Sequence, residues 1–129
     1  MKISQIAKLS DVSSKTIRYY EDIGLMPEAP RNANDYREYD KSAIDKLIFI
    51  RRCRELQIPL EQIKQLVLVK IDKTASCHEV DRIIETQLIK VRKTRKELAL
   101  LEKSLGMLAK SCHQDRVSDC EILHQLTKD

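Results

Sequence analysis

Five whole heptads separate Cys77 from Cys112, and between them Ile84, Val91, Leu98 and Leu105 recur every seven residues. Leu101 and Leu108 fill the second apolar position of the repeat. A period of seven held over this many turns marks a helix whose apolar stripe faces a second helix in a coiled coil. One heptad back from Ile84 lies Cys77, and one heptad on from Leu105 lies Cys112, so both thiols are in phase with the seam. A continuous helix between them holds them roughly 50 Å apart at about 1.5 Å per residue. They cannot share a ligand within one chain. An antiparallel homodimer brings Cys77 of one chain beside Cys112 of the other, so the repeat predicts a site assembled between subunits.

The rest of the chain also favours helices. Its 129 residues include two Gly, three Pro, no Trp and one Phe, and 34% are charged. Apolar residues fall three and four apart, so the expected fold class is mostly α, with one small domain and an extended element. No apolar run reaches the ~20 residues needed to span a bilayer, and no signal peptide precedes the first helical pattern. A cytoplasmic protein without a membrane partner is therefore expected. In that compartment four cysteines point to metal ligands or buried thiols rather than disulfides. The net charge of +4 is spread thinly: residues 1–71 carry 13 basic and 10 acidic side chains, and residues 72–129 carry 11 and 10. Any argument for nucleic acid has to come from arrangement.

Residues 1–71 supply that arrangement. Ile3, Ile6, Ala7 and Leu9 have helical spacing, and Asp11, Val12 and Ser13 make a short turn. Ser13 or Ser14 can cap a second helix containing Ile17, Tyr20 and Ile23, which Gly24 ends. Two short helices joined this way form a helix-turn-helix. The second presents Lys15, Thr16, Arg18 and Tyr19 near its N-terminal end, where a recognition helix meets base edges and phosphates. Downstream, Asn34-Asp35 can turn a short hairpin, a wing carrying Arg31, Tyr36 and Arg37 as phosphate contacts. Helices are expected at 40–56 and 60–69, with Pro59 opening the second. Arg51, Arg52 and Arg54 cluster before the Ile58-Pro59 break as a second basic edge.

The end of the chain has a different chemistry. Seven polar residues, HQDRVSD, separate Cys112 from Cys120, a loop that can fold around a soft or borderline ion. Ser118-Asp119-Cys120-Glu121 fits an S-x-x-E capping box opening a last helix through Ile122, Leu123 and Leu126. Ser76-Cys77-His78-Glu79 repeats that pattern before the long helix. Each box places its cysteine in a first helical turn, where free N–H groups and the helix dipole favour thiolate. Cys77, Cys112 and Cys120 are the candidate thiolate ligands. His113, next to Cys112, is a candidate nitrogen ligand, whereas His78 and His124 read better as solvated neighbours. Cys53 lies among apolar residues and reads as a buried structural thiol.

The segments Ile17-Arg18-Tyr19-Tyr20-Glu21, Gly24-Leu25, Tyr36-Arg37-Glu38-Tyr39 and Ile44-Leu47-Ile50, in this order, resemble the MerR family of bacterial transcription regulators. The resemblance covers essentially the whole chain. It implies a winged helix-turn-helix DNA-binding domain at 1–71, a long antiparallel coiled-coil dimerisation helix at 72–110, and a metal-binding loop with a short C-terminal helix at 111–129. Asp35 departs from the pattern, since relatives usually carry Gly at the wing turn. The resemblance further implies a homodimer on double-stranded promoter DNA that acts with RNA polymerase by untwisting or bending the promoter. Family members that sense monovalent copper, silver or gold usually carry Ser where this chain has Cys77, whereas sensors of divalent ions carry Cys. Divalent ions of this kind take three or four ligands where Cu⁺ accepts two. Cys77 therefore favours a divalent ion, Zn²⁺ first, with Cd²⁺, Pb²⁺ or Hg²⁺ behind it. The short loop resembles the copper type and favours Cu⁺.

Four functions compete on these grounds. A regulator activating a metal efflux or detoxification promoter in response to a divalent ion leads, and the same scaffold sensing Cu⁺ or Ag⁺ is the alternative. A thiol-based redox regulator using Cys112 or Cys120 is a further alternative. A metal buffer would have no use for residues 1–71. No catalytic constellation or phosphate-binding loop is present in the sequence, so an enzyme is not expected.

Overall fold

The computed structural model describes residues 1–111 and 116–128. These residues form α1 (Ile3–Ser10), α2 (Ser14–Asp22), α3 (Lys41–Glu55), α4 (Leu60–Ile71), α5 (His78–Ser111), a 3₁₀ turn at Val117–Asp119 and α6 (Glu121–Thr127). The fold is mostly helical, and the one β-type pairing among the described residues is an antiparallel bridge between Arg31 and Arg37. The chain divides into two units, Met1–Ile84 and Glu85–Asp129.

The first unit is built on aliphatic side chains at helical spacing. Ile6, Ile17, Leu47, Ile50, Ile58 and Ile63 are essentially sealed from solvent. Each such burial contributes about 1.5–3 kcal/mol against the conformational entropy lost on folding. Through these residues α1 packs on α2 and α3, and α3 packs on α4.

The turn between α1 and α2 follows from its sequence. Asp11 adopts a left-handed conformation (φ 58°), which Asp tolerates better than most residues. That directs the Val12 N–H to the Ala7 carbonyl at 3.2 Å and buries the Val12 side chain. Ser13 is the cap, its Oγ accepting the Thr16 N–H at 3.1 Å. At the far end Gly24 takes φ 77°, and the Leu25 and Met26 N–H groups converge on the Tyr20 carbonyl at 2.9 and 3.1 Å. This reversal drops Leu25 and Met26 into the core.

The wing is a three-residue loop rather than a two-residue turn on Asn34-Asp35. Asn32 organises it: its carbonyl accepts the Asp35 N–H at 3.0 Å and its N–H donates to the Tyr36 carbonyl at 2.8 Å. Its side-chain oxygen accepts from the N–H groups of Asn34 and Tyr36. Asp35 then takes the left-handed position (φ 64°) that closes such loops.

The first unit reaches beyond residue 71 because the start of α5 serves the head. Ile83 is buried in the core and Val80 packs against it. In the second unit Val91, Leu98, Leu101 and Leu105 are 50–65% exposed on the single chain. Helix α5 is continuous over 34 residues, so the heptad pattern does fall on one uninterrupted helix.

Candidate nucleic-acid interface and metal centre

Amphipathic spacing sorts the residues of α2. Ile17 and Tyr20 turn into the core, which leaves Lys15, Arg18 and Tyr19 exposed and Thr16 half-exposed on the opposite face. Arg18 borders a cleft of about 400 Å³ together with Arg31, Asp35, Tyr36 and Arg37 of the wing and Lys2, Ile3 and Ser4 at the start of α1. Four of the residues expected to meet DNA thus line one concave surface. Four cations and a single carboxylate edge it, and that balance suits a phosphate backbone.

Within this cleft the arginines have distinct roles. Arg31 Nη1 donates to the Asp35 carbonyl at 2.9 Å, steadying the wing loop. Arg37 turns inward, its Nε 3.4 Å from Glu21 Oε2, with the Glu21 carboxylate only 1% exposed. The approach lacks hydrogen-bond geometry, so it is an ionic contact. The other Glu21 oxygen accepts the Tyr39 hydroxyl proton. Burial, reinforced by that bond to Glu21, pushes the Tyr39 phenol far above the ordinary tyrosine range.

Lys2, Ser4 and Glu21 had no place in the sequence reading of this surface. For Glu21 a signal existed: it lies four residues after Ile17, on the face of α2 that packs inward.

In the second basic edge the arginines meet protein groups of their own. Arg51 Nε donates to the Ser10 carbonyl at 3.1 Å, and its Nη1 meets Glu55 at 2.7 Å. Arg54 Nη1 donates to the Ile58 carbonyl at 2.9 Å, bracing the corner between α3 and α4 where Gln57 takes φ 60°. Both guanidinium groups satisfy backbone carbonyls. Arg52, between them, is exposed.

Cys77 and Cys120 each stand just before a helix, one and two positions earlier in the helix than their capping boxes imply. Helix α5 begins at His78, and the Cys77 carbonyl accepts the Asp81 N–H at 2.9 Å, which makes Cys77 itself the cap residue. The Ser76–Glu79 box does not form, because Glu79 pairs with Arg82 three residues on. Cys120 likewise caps α6 through its carbonyl, which the His124 N–H reaches at 3.2 Å. Ser118 cannot act as that cap, since it sits inside the 3₁₀ turn that the Cys120 N–H closes on the Val117 carbonyl.

Cys77 is exposed and Cys120 half-buried, both as free thiols, and the Cys120 side chain makes no capping bond. Sulfur donors presented this way fit a soft or borderline metal ion. Cys112 and His113 lie outside the described residues. His78 and His124 are exposed. Cys53 is buried in α3 as expected, and burial raises its thiol above the usual cysteine range. Among the described residues no three His, Cys, Asp or Glu side chains converge within one chain, and no helix is long and apolar enough to cross a membrane.

The fold and this surface define a helix-turn-helix regulator with a long C-terminal helix. The model of the MerR HTH family regulatory protein matches residues 1–68, and that of the MerR, DNA binding family matches residues 44–108. The chain belongs to the MerR family. It is 38% identical over 128 residues to the transcriptional regulator HmrR of Rhizobium leguminosarum bv. viciae, covering 98% of both chains. Among solved structures it is similar to the transcription regulator PbrR691 from Ralstonia metallidurans in complex with lead(II). That likeness has a TM-score of 0.87 at 35% identity, over 98% of this chain and 99% of the other. The regulator MerR from Bacillus megaterium in complex with mercury(II) is similar at a TM-score of 0.70 and 29% identity, over 99% and 100% of the two chains.

Proposed function

We propose that this protein is a metal-responsive regulator of transcription, working as a homodimer on promoter DNA and sensing a divalent soft or borderline ion. The observation that carries the reading is the exposed Cys77 thiol at the start of α5, in phase with the heptad seam. In an antiparallel pair it meets the Cys112–Cys120 loop of the partner chain. Three thiolates, two from the loop and one across the interface, suit Zn²⁺, Cd²⁺, Pb²⁺ or Hg²⁺, with His113 available as a fourth donor for tetrahedral Zn²⁺. The solved relatives that hold lead(II) and mercury(II) support a divalent ion.

On the DNA side, Lys15, Thr16, Arg18 and Tyr19 enter the major groove while Lys2, Arg31, Tyr36 and Arg37 hold the adjoining backbone. Metal bound at the far end orders the loop and α6 against the partner and changes the angle between the two heads. The promoter is thereby untwisted or bent toward a spacing that RNA polymerase accepts. Genes for efflux or detoxification of the sensed ion are the expected targets.

The seven-residue loop between Cys112 and Cys120 favours a second reading, a Cu⁺ or Ag⁺ regulator on the same scaffold. Replacing Cys112 tests the division of labour. Cys112→Ser should keep promoter binding in a gel-shift assay and lose metal-dependent activation. Loss of promoter binding in that variant would count against separate DNA and metal functions.

A further inference from the structure

The buried carboxylate of Glu21 has no part in the division just described, yet it joins the two elements that line the basic cleft. It sits on the inward face of α2, three residues from Arg18, and its two oxygens meet Arg37 of the wing and Tyr39 just beyond it. One accepts from Tyr39 and the other faces Arg37 Nε at 3.4 Å. Arg37 Nε is sealed from solvent, while the side chain as a whole keeps 25% of its surface open and lines the cleft beside Arg18 and Arg31.

A guanidinium has five donors in a rigid plane, so fixing the Nε edge fixes the direction of the two Nη groups. Tyr39 supports the arrangement by anchoring the carboxylate from the other side. Its N–H donates to the Met1 carbonyl at 2.8 Å, which brings the chain next to Lys2 to the same cleft.

We propose that Glu21 is a positioning residue for DNA binding: it aims the Arg37 guanidinium across the cleft at a backbone phosphate. This rests on the reading that the cleft binds DNA. Simple electrostatics gives the opposite expectation. An acidic group beside a phosphate site repels DNA, so neutralising it should strengthen binding. If Glu21 positions Arg37, neutralising it weakens binding instead.

Glu21→Gln keeps the shape and an oxygen for the Tyr39 hydroxyl while removing the charge that faces Arg37. The experiment measures affinity of the dimer of this chain for a labelled, mixed-sequence duplex of about three helical turns, as a function of salt. Wild type, Glu21→Gln, Arg37→Ala and the double variant are compared at a temperature where each is shown folded by circular dichroism. Arg37→Ala should weaken binding and flatten the salt dependence by about 0.9 for each phosphate no longer neutralised, hence by about 2 for a dimer. Glu21→Gln should weaken binding about tenfold, as expected for a misdirected charge-assisted bond. In the Arg37→Ala background the same substitution should have no weakening effect.

Glu21→Gln binding as tightly as wild type, or tighter, overturns the proposal. Equal weakening with and without Arg37 also overturns it, because that pattern marks a general loosening of the wing. A wild-type protein that shows no salt-dependent binding to the duplex overturns the DNA reading itself and this inference with it.

Discussion

Arg51 Nε donates to the carbonyl of Ser10 at 3.1 Å, tying α3 to the last residue of α1. The same guanidinium meets Glu55 one turn along. A side chain committed to a buried helix end is a brace, and its removal leaves a carbonyl short of a partner beside the helix-turn-helix. Arg51→Ala should therefore lower the unfolding free energy by about 1–2 kcal/mol, read from urea denaturation. The salt dependence of DNA binding should stay as in wild type. An unchanged stability with a flatter salt dependence would return Arg51 to the phosphate-binding surface.

Alkaline pH should loosen the contact between wing and α2. Burial and the bond to Glu21 raise the Tyr39 phenol above its ordinary value near 10. The folded state thus holds that proton more tightly than the unfolded chain does. The stabilisation is complete below the unfolded value and drains away as pH climbs from about 10 toward the folded one. Tyr20, raised mainly by burial, adds to the same trend. Tyr39→Phe should be less stable than wild type at neutral pH, with a shallower fall in stability above pH ~10. Parallel pH profiles for the two proteins would remove Tyr39 from the account.

How far the sequence alone reached differs between backbone and side chains. The helices fell where apolar spacing placed them, because Ile17, Tyr20, Leu47, Ile50 and Ile63 decide which face is buried. Ser13 and Gly24 marked the limits of α2 for reasons local to those residues. The caps at Cys77 and Cys120 were harder to read. A capping box is a competition, and Glu79 has a better partner in Arg82 than in Ser76. The arginines were hardest. Arg18, Arg37, Arg51 and Arg54 are chemically alike in a sequence, and only the fold separates those that line the cleft from those that satisfy the carbonyls of Ser10 and Ile58. Glu21 escaped notice because a carboxylate is expected to face water, and its partners lie 16 and 18 residues away across the wing.

A site shared between chains makes a prediction that a site within one chain does not. Cys77→Ser and Cys112→Ser homodimers should each fail to activate transcription with metal. Mixing and re-annealing the two variants creates heterodimers in which one site regains Cys77 from one chain and the loop cysteines from the other. Metal-dependent activity should reappear in the mixture. Continued silence, with heterodimers verified by native mass spectrometry, would mean that the cysteines act within a single chain.

The most direct test of the central claim is a competition titration of the reduced dimer with Zn²⁺ and Cu⁺, read through promoter activation in vitro. The account predicts activation by Zn²⁺ or another divalent ion at buffered, very low free concentration, and loss of that response in Cys77→Ser. Activation by Cu⁺ alone, indifferent to Cys77, would contradict it and make the length of the Cys112–Cys120 loop the better guide to the ion.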